Sequence, residues 1–364
     1  MNGVDVVGFF TGEFGLGEAG RLLTETLKKS NVPVSTINIE VPNHRNRHPF
    51  VPDNAWHHKI MIASVNSTEM PLILQQHGAE VFRERHVIGQ WFWELEDVPK
   101  QYRVGYQFVD ELWAPTKFIQ EAVGKYAPAD MEVHHMPLPL ITPAIKKDVT
   151  KENFALDPDR FTFLFTFDFC SIEARKNPAA VIEAFKIAFH ENEGPVLVIK
   201  SLNDHVFPHS LKNLMVKADG RSDIKFFNQH LDHDLVSALR NVCDCYVSLH
   251  RSEGLGLTIS EAMCLGKPVI ATAYSGNMDF MTEDNSIPVP WEYTYINTNQ
   301  GPYEAGMRWA EPNTSFAANA MRKVYQDPVW AANLGKKAQR DIANRFSFEA
   351  TGANMVERLS KVQV

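Results

Sequence analysis

The stretch from Cys243 to Lys267, C-D-C-Y-V-S-L-H-R-S-E-G-L-G-L-T-I-S-E-A-M-C-L-G-K, limits what this chain can fold into more than any other. Its opening run to His250 is short, apolar, and rich in β-branched and aromatic residues, which reads as a buried strand. Gly254 and Gly256 then permit a tight turn whose backbone N–H groups can point outward, because neither carries a Cβ. Thr258–Leu265 reads as a helix, stopped by Gly266 with Pro268 two residues later. A strand, a glycine turn and a helix N-terminus gather unpaired amides and the positive end of a helix dipole at one point. That is an anion site.

Two glutamates complicate it. Glu253 lies in the loop and Glu261 early in the helix, with seven residues between them. Carboxylates are poor neighbours for a phosphate, but they accept well from vicinal hydroxyls such as those of a ribose or a hexose. An anion and sugar hydroxyls held together describe a nucleotide sugar. A helix start with two solvated acids is the plain alternative. The next strand, Pro268–Tyr274, and the turn Ser275-Gly276-Asn277 count against it, since they set a second strand end and a second glycine turn beside the first.

The run S-E-G-L-G-L-T-I-S-E-A-M-C-L-G-K-P-V-I-A-T resembles the signature of family 4 retaining glycosyltransferases, with its E-x7-E motif and GT-B fold. The likeness is dense from Phe161 to Met281. It implies two doubly wound α/β domains facing each other across a cleft, and transfer of a hexose from a nucleoside-diphosphate donor to a hydroxyl with retention. Glu261 would then hold the ribose diol. The amides of Gly254, Leu255, Gly256, Leu257 and Thr258 would hold the diphosphate, and Glu253 the donor-sugar hydroxyls. The resemblance also places a glycine-rich loop after the first strand, here Gly15 and Gly17, near the donor phosphates, and packs a closing helix back on the first domain. The setting it implies is assembly of a polysaccharide or a lipid-linked glycan.

At 364 residues the chain exceeds one ordinary core, so two domains are expected. The boundaries read as 1–145 for an acceptor-side domain, 146–345 for a nucleotide-sugar domain and 346–364 for the closing helix. A net charge of −8 argues against a nucleic-acid binder and leaves at most peripheral membrane contact. No run reaches the roughly 18 apolar residues of a membrane span, and the opening residues read as strand rather than a secretory leader. Cys170, Cys243, Cys245 and Cys264 fit no zinc spacing and read as buried free thiols of a reducing cytoplasm.

Strands are expected at Val4–Phe10, Pro33–Glu40, Lys59–Val65, Val87–Glu94, Leu112–Pro115 and Val133–Leu138, with helices between them. That alternation is the pattern of a parallel sheet covered on both faces. Pro137, Pro139, Pro143 and Pro158 punctuate a linker. A second series follows at Phe161–Phe167, Pro195–Leu202, Ile224–Phe227, Cys243–His250 and Pro268–Tyr274, and three helices close the chain. Ligand is expected beyond the carboxyl ends of these strands.

Several other groups compete for attention. Gly15-x-Gly17-x-x-Gly20 with Glu40 twenty residues on imitates a dinucleotide fingerprint, but Thr11-Gly-Glu-Phe14 separates it from the strand. Arg175 and Lys176 follow the first strand of the second series and could neutralise a departing diphosphate. In the family resembled, Lys176 matches a lysine, while Asp168 or Phe169 stands where an arginine is usual, so Arg175 would substitute from a shifted position. Trp91, Trp93 and Glu94 end a strand with sugar-stacking faces and a carboxylate, set against a reading as core aromatics and a solvated turn. Gln229 ends the strand before Asp232-x-Asp234, in the region that lies near the base in the family. Asp232 and Asp234 themselves read as helix-cap acids. His250 ends the strand before Glu253 and is a candidate phosphate contact, with a structural role as the alternative. No metal and no cofactor beyond the donor is expected.

The reading is therefore a hexosyltransferase with a glycan or lipid-linked acceptor. The alternatives are another enzyme on this fold, such as a nucleotide-sugar 2-epimerase or a phosphorylase, an NAD-dependent oxidoreductase, or a sensor without turnover. The donor base and the oligomeric state leave no signature.

Overall fold

A computed structural model describes residues 3–40 and 46–363. The chain divides into two compact units, one of Met1–Pro139 with Asn344–Val364 and the other of Leu140–Ala343.

The first unit runs β1 (Val4–Gly8), α1 (Gly15–Lys29), β2 (Val34–Asn38), β3 (Ile60–Ser64), α2 (Met70–His77), β4 (His86–Gln90), β5 (Glu111–Ala114), α3 (Lys117–Gly124) and β6 (Glu132–His135). Its strands form one parallel sheet in the order β2-β1-β3-β4-β5-β6. β1 and β3 are buried along their whole length, as strands covered on both faces must be. The expected strand to Glu94 stops at Gln90, because the backbone then leaves the ladder and Phe92 N–H donates to the Asn66 side chain at 2.9 Å. The helix expected near Gln101–Phe108 is a 3-10 helix, Lys100–Phe108.

The second unit runs β7 (Thr162–Asp168), α4 (Glu173–Lys176), α5 (Pro178–Ala188), β8 (Val196–Leu202), α6 (Pro208–Ala218), β9 (Ile224–Phe227), α7 (His233–Val242), β10 (Cys245–Ser248), α8 (Leu257–Cys264), β11 (Val269–Thr272) and β12 (Ile287–Val289). Its parallel sheet has the order β12-β11-β10-β7-β8-β9. The strand order reverses at β7, so loops after β7 and β10 leave the sheet at a switch point, where ligands bind in such folds. Phe163 on β7 and Phe185 and Phe189 beyond it are fully buried and form one aromatic cluster. Burying each such ring contributes about 2–3 kcal/mol.

An antiparallel ribbon, β13 (Trp291–Tyr295) and β14 (Arg308–Pro312), follows the sheet and has no counterpart in the sequence reading. α9 (Thr314–Gln326) and α10 (Pro328–Arg345) come next. All four cysteines are free, and Cys170 is exposed in a 3-10 turn, which corrects its reading as buried.

The last helix, α11 (Phe348–Leu359), packs within the first unit against α1. A Cβ on Gly352 would lie 2.0 Å from Ser30 Oγ, so this close approach requires glycine. The Arg358 side chain reaches Glu111 on β5, which is 1% exposed, with Nε 3.0 Å from Oε2, and it also pairs with Glu132. Trp113 Nε1 donates to the same carboxylate at 2.7 Å. Burial alone would raise the Glu111 carboxyl, but the bonds from His86, Arg358 and Trp113 outweigh it and lower it to about 2. Glu111, Glu132 and His134 could in principle share a metal ion, but Arg358 already spans the two carboxylates, so the cluster is an ion-pair network.

Glu111 ionises more easily folded than unfolded, so its contribution is complete above about pH 4.5 and is lost as the pH falls toward 2. The shift corresponds to roughly 3 kcal/mol. Thermal melts from pH 5 to pH 3 are expected to show a steeper stability loss for the wild type than for Arg358→Met, in which one of the partners that lower the carboxyl is gone.

Candidate functional site

The site is assembled at the carboxyl ends of β7, β10 and β11. After β10 the chain enters the loop that carries Glu253, whose backbone is held from both sides. Its N–H donates to Ser275 Oγ at 2.8 Å, and its carbonyl accepts from Gly276 N–H at 2.9 Å. A Cβ on Gly276 would lie 1.8 Å from the Gly254 carbonyl oxygen, so the two turns can touch only if this residue is glycine. Ser275 takes φ +74°, ψ −151°, a region that side chains other than hydrogen adopt at a cost.

Glu253 is 7% exposed and its carboxylate lies between two cations. Arg175 Nη1 is 3.2 Å from Oε2, and Lys176 Nζ pairs with Oε1. Arg175, itself 5% exposed, also donates to the Ser252 carbonyl at 2.9 Å. Burial would raise the Glu253 carboxyl, but Lys176 first, then Arg175 and His250, hold it down at about 2. Its stabilising contribution is therefore present above about pH 4.5 and fades as the pH falls toward 2.

α8 begins directly after Gly256, which sits in the left-handed region at φ +83° and supplies no side-chain cap. The amides of Leu257 and Thr258 thus open the helix with its positive dipole end behind them. Glu261 is the fifth residue of α8, which starts one residue earlier than the sequence suggests. Its carboxylate is partly exposed and bonds Arg240 Nη2, from α7, at 3.0 Å. Tyr246 on β10 joins its hydroxyl to Thr166 Oγ1 at 2.9 Å beneath Thr258. One surface therefore presents two carboxylates that are each held by an arginine, a lysine, and an uncapped helix start. It can take an anion and hydroxyls together.

The other candidates are placed differently. His250 is fully buried: its Nδ1 lies 3.1 Å from Ser248 Oγ and its Nε2 3.0 Å from Asn277 Oδ1. Desolvation lowers its pKa. It braces the β10 and β11 ends and offers no face to a phosphate, which corrects its assignment as a donor contact. Trp91 and Trp93 are likewise core residues, packed on Tyr102 and Tyr106, and neither presents a ring to stack on a sugar. The aromatic pair at a strand end is explained by core filling. Glu94 is half-buried beyond β4 in the first unit, where its charge helps to raise Glu69 and Tyr102 after their own burial. Gln229 is exposed just after β9, and Leu255 is buried beneath the Glu253 loop.

Gly15 is exposed at the start of α1. Gly17 is a packing residue, since a Cβ there would fall 2.4 Å from the Gly12 carbonyl and 2.7 Å from that of Phe9. Sequence reasoning missed Arg240 and Arg251, and it placed Ser275 and Asn277 in a second glycine turn without giving them their bonds to Glu253 and His250.

Residues 150–290 match the family described as glycosyl transferases group 1. Among curated proteins, the trehalose synthase of Rubrobacter xylanophilus is 24% identical over 278 residues. That match takes in 71% of this chain, and the chain spans about 60% of the relative's length. Among solved structures, sucrose-phosphate synthase from Thermosynechococcus elongatus aligns over 99% of both chains, with a TM-score of 0.72 at 15% identity. Anabaena HepE, solved with UDP and glucose, aligns over all of both chains with a TM-score of 0.68 at 14% identity. TarM of S. aureus covers 82% of this chain, which covers 54% of it, with a TM-score of 0.59 at 12% identity. These neighbours define the fold as GT-B.

Removing one cation from the buried pair strands a carboxylate in low dielectric, which costs about 3 kcal/mol or more. Arg175→Met is expected to fall by that order in urea unfolding. Arg175→Met with Glu253→Gln should recover much of the loss, and a double-mutant cycle reads the coupling directly.

Proposed function

We propose that this chain is a retaining glycosyltransferase that moves a hexose from a nucleoside-diphosphate sugar to a hydroxyl of a glycan or lipid-linked glycan. The observation that carries the reading is Glu253, buried between Arg175 and Lys176 beside the uncapped start of α8, within the stretch that matches the group 1 glycosyltransferases.

In this reading Glu261, oriented by Arg240, accepts the ribose hydroxyls. The α8 amides and Lys176 hold the diphosphate, and Glu253 accepts hydroxyls of the donor sugar. Arg175 keeps Glu253 ionised and in place. Transfer breaks the bond between the anomeric carbon and the phosphate oxygen, and the electron pair leaves on the diphosphate. The acceptor oxygen attacks from the same face, and its proton passes to that phosphate oxygen. The growing negative charge lies where Lys176 and the helix end stabilise it, so no metal is required. HepE is solved with UDP-glucose and with UDP, which makes UDP-glucose the first donor to try.

The test is thermal stabilisation by UDP, GDP, dTDP, ADP and NAD, on the wild type and on Glu261→Ala. A ligand that binds only the folded form raises the melting temperature with its affinity. One nucleoside diphosphate is expected to stabilise the wild type, and at least tenfold higher concentration to be needed for Glu261→Ala. Release of that diphosphate from its sugar only with an acceptor present would identify transfer. Release should persist in EDTA. Stabilisation by NAD alone, equal in both proteins, would overturn the proposal.

A further inference from the structure

Arg175 and Lys176 are carried on α4, a helix of only four residues, which is too short to hold its own conformation in water. Something outside it must set where the two cations stand. The antiparallel ribbon β13–β14 supplies contacts at both ends of α4.

At the carboxyl end the link runs through Arg251. Its N–H donates to the Arg175 carbonyl at 2.8 Å, and its carbonyl accepts from Ala310 N–H on β14 at 3.0 Å. Its guanidinium completes the tie, with Nε to Glu311 Oε2 on β14 at 2.7 Å and Nη1 to the Ala174 carbonyl at 2.7 Å. One residue thus joins β14, α4 and the loop that leads into Glu253. The planar fork of an arginine can serve two partners in fixed directions, which a lysine cannot.

At the amino end the ribbon's connection closes on Ile172. A Cβ on Gly301 would lie 2.7 Å from Ile172 Cδ1, so the glycine lets the tip reach that side chain. Ile172 has φ +64°, ψ 102°, a region a β-branched residue occupies only when its surroundings impose it. Its carbonyl accepts from the N–H groups of Arg175, at 3.0 Å, and Lys176, at 3.1 Å.

We propose that the ribbon Trp291–Pro312 is a brace for α4 and that Arg251 is a positioning residue, fixing Arg175 and Lys176 relative to Glu253 and the departing diphosphate. The role in turnover rests on the function proposed above, whereas the ordering of α4 does not. The competing explanation is that the ribbon merely packs. Glu311 is partly exposed, and such a pair contributes little to global stability, so the two roles separate.

The experiment compares wild type, Arg251→Gln, Arg251→Lys, Glu311→Gln and Tyr295→Ser, the last an exposed position on β13 that takes part in none of the bonds to α4 described above. Two readouts are used: hydrogen exchange of residues 172–177, and steady-state kinetics with the nucleotide sugar whose diphosphate stabilises the wild type. A displacement of catalytic groups by about 1 Å can lower rates by up to ~100-fold. Arg251→Gln is expected to lose about tenfold or more in kcat, to change KM for the donor by less than about threefold, and to melt near the wild type. Arg251→Lys should recover part of the rate, Glu311→Gln should show a smaller loss, and Tyr295→Ser none. Exchange at 172–177 should quicken in the order Arg251→Gln, Arg251→Lys, wild type. Unchanged exchange in Arg251→Gln overturns the brace. Faster exchange with wild-type kcat overturns the positioning role. If Arg251→Gln fails to fold, Glu311→Gln decides by the same criteria. A wild type that turns over no nucleotide sugar refutes the function proposed above, and exchange still decides whether the brace exists.

Discussion

The Glu253 carboxylate, buried between Arg175 and Lys176, is the interaction on which the rest of the second unit depends. A charge in low dielectric must be paired, and each of these three side chains is affordable only while the others stay in place. That requirement reaches outward. Ser275 and Gly276 must pin the Glu253 backbone, Gly254 must pass within contact of Gly276, and α4 must be held from outside. A charge that grows at the diphosphate then meets groups already oriented toward it, with little left to reorganise.

The sheet explains why these parts meet. Arg175 and Glu253 are far apart in sequence, but β7 and β10 are neighbours in a parallel sheet, and their following loops leave from the same edge. β11 lies on the other side of β10 and delivers Ser275 and Asn277 to the same place. Parallel order comes from right-handed crossovers through helices, so each strand ends on the same side as the last. The first unit repeats this plan, and its closing helix is tied to β5 by Arg358 and the buried Glu111.

The alternation of strands and helices was legible because fully buried parallel strands are short apolar runs bounded by glycine and proline. β9 and the three closing helices stand where periodicity puts them. The α8 start was legible too, since glycines that need a left-handed or close-packed backbone leave few alternatives. Trp91, Trp93 and His250 misled for one reason. An aromatic or imidazole at a strand end has the same local signature whether it faces ligand or core, and packing against Tyr102, Tyr106 or Asn277 is not written in adjacent residues. The ribbon has no counterpart in the sequence reading, although W-E-Y-T-Y alternates as a strand should.

By itself the sequence determined the two parallel α/β units, the glycine turn before α8, and the presence there of acids and cations suited to an anion bearing hydroxyls. Each of these is local, because hydrophobic period, backbone freedom and side-chain chemistry act within a few residues. Only the tertiary structure decided which cation meets which acid. It put Arg175 on Glu253 and Arg240 on Glu261, assigned His250 to the core, and brought Arg251 between β14 and α4. Those pairings depend on desolvation and on contacts between distant segments, and neither exists until the sheet has closed.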